Sequence, residues 1–199
     1  MQATTTHDVQ TTRVETAGPG ASIQWRTWVR GRPIAAAALA GFVATQMATL
    51  IGYFLNAIGL PQLNWPDVNG ALVAPNASEG AQFAAGAFVH TINGVVFALL
   101  FVILVWDKLP LPNTSVGNVL KGVIYAVVLA IISAGVLVPY VYFAKAGLDP
   151  FSFGIPFPLE QPTGAVYTSI GWKLPFAILV WHLVYGFFLG SLYDPSEAD

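Results

Sequence analysis

AQFAAGAFVHTINGVVFALLFVILVW, residues 81–106, runs for 26 residues without a charged side chain. A hydrocarbon core of roughly 30 Å is crossed by about 20 helical residues, so this stretch is long enough to span a bilayer. It shows no alternation of the kind that marks a membrane β-strand. Three more uncharged stretches occur at residues 33–60, 122–144 and 174–193. Together they predict an all-α, integral-membrane four-helix bundle, with helices over about 33–60, 81–106, 118–145 and 174–193. A proline stands in the first turn of the first helix (Pro33) and of the fourth (Pro175), where a missing N–H costs little. Pro139 falls inside the third helix and should bend it.

The composition agrees. Of 199 residues, 55% are hydrophobic and only 9% charged, far below the roughly 25% charge of soluble domains. A net charge of −2 argues against a nucleic-acid partner. With no cysteine there is no disulfide frame, thiolate metal site, Cys-anchored haem or cysteine nucleophile. No HExxH, P-loop or dinucleotide fingerprint occurs, and Ser133 lies in no hydrolase signature. Three histidines are too few for a membrane di-iron centre. The uncharged stretches hold no carboxylate or lysine of the kind that marks a transport path. No catalytic residue emerges, and the chain reads as non-enzymatic.

The flanks set the orientation. Residues 1–20 are rich in Thr, Gln and Gly and are expected to form a disordered tail. Residues 21–32 interleave Trp25 and Trp28 with Arg26, Arg30 and Arg32, a pattern suited to lipid headgroups. Arg13, these three arginines, Lys108 and Lys121 fall on one side of the bundle, and only Lys145 and Lys173 on the other. The excess puts both termini in the cytoplasm of a cell with its plasma (inner) membrane crossed four times. Residues 194–199 form a short acidic tail.

Two residues stand out within the spans. His90 and His182 are ionisable groups at membrane depth, each followed four residues later by glycine, Gly94 and Gly186. Such groups are functional candidates by default. Leu39-Ala40-Gly41 and Leu120-Lys121-Gly122 open the first and third helices alike, so the chain looks like two tandem helical hairpins. At 1.5 Å per residue both imidazoles lie ~12–14 Å below the outer edge. Two rings at one level on facing helices could ligate a haem b or a related tetrapyrrole, Gly94 and Gly186 leaving room for its edge. Lys145, Tyr167, Trp172 and Lys173 could meet its propionates. The bland alternative is that each histidine bonds across helices while the glycines only pack. Small residues recur at i+4 steps: Gly86, His90, Gly94 and Ala98 in the second helix, Gly186 and Gly190 in the fourth, and Gly41, Thr45, Thr49, Gly52 and Asn56 in the first. Such stripes let helices approach closely. Gln46, Thr91 and Asn93 fit as interhelical hydrogen-bonding groups or as partners that orient an imidazole.

The run from Trp181 to Tyr193, with His90 and Gly94 in the second helix, resembles a pattern in short, uncharacterised four-helix membrane proteins of bacteria and archaea. The resemblance covers about residues 33–193 and implies the four-helix layout and a prokaryotic inner membrane, without an activity. The expected function is a bis-histidine b-type haem subunit that carries electrons or anchors a membrane redox complex. The alternatives are an accessory subunit packing on partner helices or in a homo-oligomer, and a quinone- or lipid-binding protein.

Overall fold

The computed structural model describes residues 20–143 and 173–197. The described residues form helices joined by short connections, without strands. Six α-helices follow in order: α1 (Gly20–Gly31), α2 (Pro33–Phe54), α3 (Trp65–Val73), α4 (Glu79–Leu100), α5 (Ser115–Ile132) and α6 (Lys173–Leu192). Four helical stretches are long and apolar enough to cross a membrane: Pro33–Ile58, Glu79–Lys108, Ser115–Val138 and Lys173–Leu192. They match the four uncharged stretches.

The ends of these helices depart from regular α geometry for local reasons. α2 tightens into a 3-10 turn, Leu55–Ile58, and stops at Gly59 with φ 78°, a left-handed conformation that glycine adopts without cost. The tightening turns Asn56 outward, so it leaves the buried stripe expected of it, while Gly41, Thr45, Thr49 and Gly52 stay inside. α4 loosens into a π turn, Phe101–Val105. α5 gives way to a π-helix, Ser133–Phe143, which contains Pro139. A proline cannot donate to the helical ladder, and the α pattern ends ahead of it.

Two segments differ from expectation. Residues 61–80, which join the first two predicted helices, hold a further helix, α3. Asn64 caps it by accepting from the Asp67 amide at 3.3 Å, and Pro66 occupies its first turn, where proline is tolerated. α3 lies against the start of α4, where Gly70 and Gly86 meet: a Cβ on Gly86 would overlap the Pro66 carbonyl. The second is the end of the chain. Asp194 and Ser196 are buried rather than part of a free acidic tail. Asp194 pairs with Arg26 at 3.1 Å and accepts from Ser115 at 2.7 Å and Asn118 at 2.9 Å. Trp25 donates to the Leu192 carbonyl at 3.0 Å, so α1 and the end of α6 are fastened on one side of the bundle. Burial pushes the Asp194 carboxyl up, but hydrogen bonds from Ser196, Ser115 and Asn118 together hold it below the usual carboxylate range.

The spanning helices pack through small residues. α2 packs on α4 where Gly41 faces Ala98 and Gly94, and a Cβ on Gly94 would overlap Thr45. α5 packs on α6 where Gly122 faces Gly186 and Gly190, and a Cβ on Gly186 would overlap Ala126. α2 also packs along α6, whereas α4 and α5 scarcely touch. Tyr125 ties across that gap: its hydroxyl donates to the Phe97 carbonyl at 2.9 Å.

Candidate functional site

His90 and His182 line one cavity of about 90 Å³ together with Asn93, Phe97, Ser133, Trp181 and Tyr185. α3 contributes Trp65 and Asn69. Because α4 and α5 do not pack on each other here, the cavity is a cleft open between them. Exposed Asn93 on α4 and Leu137 on the π-helical segment flank the opening.

Neighbouring groups fix the protons of both imidazoles. Thr49 donates its hydroxyl to the Thr45 carbonyl at 2.7 Å. That uses its only proton, so the 3.0 Å contact between Thr49 Oγ1 and His90 Nε2 is donated by the ring. His90 therefore carries its proton on Nε2. His182 Nδ1 lies 2.7 Å from the Ile178 carbonyl, which can only accept, so His182 carries its proton on Nδ1. Each ring is left with one nitrogen that can only accept: Nδ1 of His90 and Nε2 of His182. Both rings are buried, where the neutral form is favoured.

Around them stand groups able to donate. Trp181 Nε1 is buried without a hydrogen-bond partner among the described residues. Its ring lies 5.4 Å from that of His90 and 5.0 Å from that of His182, so one indole touches both imidazoles. Tyr185 stacks on Trp181 at 6.2 Å and donates to the Gly94 carbonyl at 2.6 Å, tying α6 to α4 beside the cleft. Buried Ser133 lies at the start of the π-helical segment.

The sequence-derived site residues thus divide. His90 and His182 do meet at one cavity. Gln46 and Thr91 form an interhelical hydrogen bond at 3.1 Å, as expected, whereas Asn93 borders the cleft. A porphyrin does not fit between the two rings in this packing. Pockets for larger organic ligands run to about 300–1,000 Å³, against about 90 Å³ here, and Trp181 occupies the flank of both rings. The room expected beside Gly94 and Gly186 is taken by Thr45 and by Ala126 with the Gly122 carbonyl. Gly186 and Gly190, one of the small-residue stripes, meet α5 of the same chain. Lys145, Tyr167 and Trp172, expected at the propionates, lie outside the described residues. Among the described residues no group of three or more metal-ligating side chains gathers.

Trp181, Tyr185 and Thr49 are the site residues that sequence reasoning undervalued. A signal existed for two of them: a tyrosine or tryptophan at membrane depth needs a partner for its O–H or N–H. Comparison with known proteins finds no matching family model, no similar curated protein and no similar solved structure.

Proposed function

We propose that the chain is a multi-pass membrane protein that binds a small lipid-soluble ligand in the cleft between α4 and α5. One observation carries this reading: the buried indole N–H of Trp181, unpartnered among the described residues, shares a single side-open cavity with two neutral histidines, each left with one accepting ring nitrogen. Unmatched buried polar groups cost about 1–3 kcal/mol each, and native proteins seldom leave several together. A cleft that faces the bilayer laterally admits ligands dissolved in lipid. Binding of a quinone-like or lipid molecule suits this geometry better than haem electron transfer.

Both termini belong on the cytoplasmic side of a plasma membrane. The positive charge around α1 and at Lys108 and Lys121 supports that orientation, as does the joining of α1 to the residues after α6. Two tandem hairpins, α2 with α4 and α5 with α6, are supported by matching contacts: Gly41 on Gly94 and Ala98, Gly122 on Gly186 and Gly190.

The test is purification in mild detergent, with an absorption spectrum taken after growth with ample haem and extraction of bound lipophiles. A colourless protein carrying about one lipophile per chain, lost in Trp181→Ala, is expected. A Soret band abolished by both His90→Ala and His182→Ala would overturn the reading in favour of haem.

A further inference from the structure

We infer that the head of the cleft ligand is neutral and presents two hydroxyl groups, as in a diol carried on an apolar tail; this rests on reading the cleft as a ligand site. None of the described residues lining the cavity is charged, so among them an ionic head would be buried without a counter-charge, which is costly. His90 Nδ1 and His182 Nε2 only accept, so a head bearing carbonyl or carboxylate oxygens alone would meet two lone pairs with lone pairs. Two donors are required. Trp181 Nε1, the Ser133 hydroxyl and the Asn93 amide can donate in return. A hydroxyl both donates and accepts, so a pair of hydroxyls answers both sets of groups.

Size separates head from tail. About 90 Å³ is less than the roughly 150 Å³ of an engineered apolar cavity that takes up benzene. The enclosed space therefore holds the hydroxylated end, and the apolar remainder leaves between α4 and α5 toward lipid. Trp181 and Tyr185 offer flat aromatic walls to the carbon faces of the head. A glycerol head on an acyl chain has this chemistry at this size; the hydroquinone form of a lipid quinone shares the chemistry, but its ring is larger than benzene and would extend into the open side of the cleft.

The experiment uses the full chain in phosphatidylcholine nanodiscs. It is titrated with a monoacylglycerol, a short-tailed hydroquinone, the dimethyl ether of each and the oxidised quinone, with tryptophan fluorescence and thermal stability as readouts. A neutral hydrogen bond changes affinity by roughly two- to twelve-fold, so blocking both hydroxyls should weaken binding by roughly five- to a hundred-fold. At least one diol should bind, its ether should compete only with that weaker affinity, and the arm that binds names the source. Ser133→Ala should weaken the diol by roughly two- to twelve-fold, and any residual ether binding with it, because an ether oxygen still accepts from the hydroxyl. Equal binding of diols and ethers overturns the inference while the cleft stands as a ligand site. Failure of both diols, with some other lipophile retained through purification, does the same. Failure of both diols with no lipophile retained overturns the inference and the ligand-site reading together.

Discussion

The two hairpins of the bundle pack by one rule and hold their histidines by two. In the first, a glycine on α2 meets Gly94 and Ala98 of α4; in the second, a glycine on α5 meets Gly186 and Gly190 of α6. Counting from Gly41 and from Gly122, Thr45 corresponds to Ala126 and Thr49 to Ala130. The hydroxyl of Thr49 takes the His90 proton across the helix pair. Ala130 has no hydroxyl, and His182 turns back to the Ile178 carbonyl on its own helix. The two rings thus take opposite tautomers, one set by a hydroxyl on a neighbouring helix and one by a carbonyl of its own helix, and each keeps one accepting nitrogen. Small residues set how closely the helices approach, and the hydroxyl sets where the proton sits.

Four tests would break or sharpen that comparison, beginning with the largest expected effect. Gly186→Ala puts a Cβ onto the Gly122 backbone as well as onto Ala126, an overpacking expected to cost about 1–3 kcal/mol and not to be rescued by Ala126→Gly. Gly94→Ala meets only the Thr45 side chain at closest approach, so Thr45→Ala should recover part of its loss. Unfolding titrations in mixed micelles measure both. If the two glycine variants behave alike in rescue, the contacts differ from those described.

Thr49→Ala should come next. It strands the His90 Nε2 proton in the bundle, at about 1–2 kcal/mol, while Thr49→Ser keeps the hydroxyl and should remain within about 0.5 kcal/mol of the parent. Equal stability of the alanine and serine variants would show that the hydroxyl holds nothing.

The third separates the hairpins by pH. The second hairpin is anchored by Asp194, whereas Val102 stands at the matching position of the first, counted from the histidines. The Asp194 carboxyl is held below its unfolded value of about 3.9, so its contribution is complete above that pH and is lost as pH falls through the lower folded value. Asp194→Asn should therefore destabilise at neutral pH and show a smaller difference from the parent in acid. A difference that grows on acidification would contradict this network. The smallest effect belongs to Ala130→Ser, which supplies the second hairpin with the missing hydroxyl. Its stability should change by about 0.5 kcal/mol or less, but the His182 proton should move toward Nε2, a change that histidine nitrogen shifts report.

Much of this frame was legible in the sequence. The four spans follow from uncharged runs, and the glycine stripes from their i+4 spacing, because both depend on local composition and helical period. The meeting of His90 and His182 followed from their equal depth. What filled the space between them did not. Trp181 is one more aromatic in an apolar helix, and no pattern says which face it takes until α2, α4 and α6 are assembled. α3 was hidden because its nine residues lie in a stretch rich in Pro, Gly and Asn, where a short helix leaves little periodic signal. Asp194 was read as solvated because burial of a carboxylate depends on Arg26, Ser115 and Asn118, which are remote in the chain. The tetrapyrrole expectation rested on glycines as free space, and the same glycines serve as helix contacts.

The measurement that bears most directly on this account is nitrogen NMR of histidine-labelled protein in lipid bicelles, with His90→Asn and His182→Asn assigning the signals. One ring protonated on Nε2 (His90) and one protonated on Nδ1 (His182), both neutral at pH 7, is the expected result. The same tautomer on both rings, a charged ring, or shifts displaced by a bound metal would contradict it.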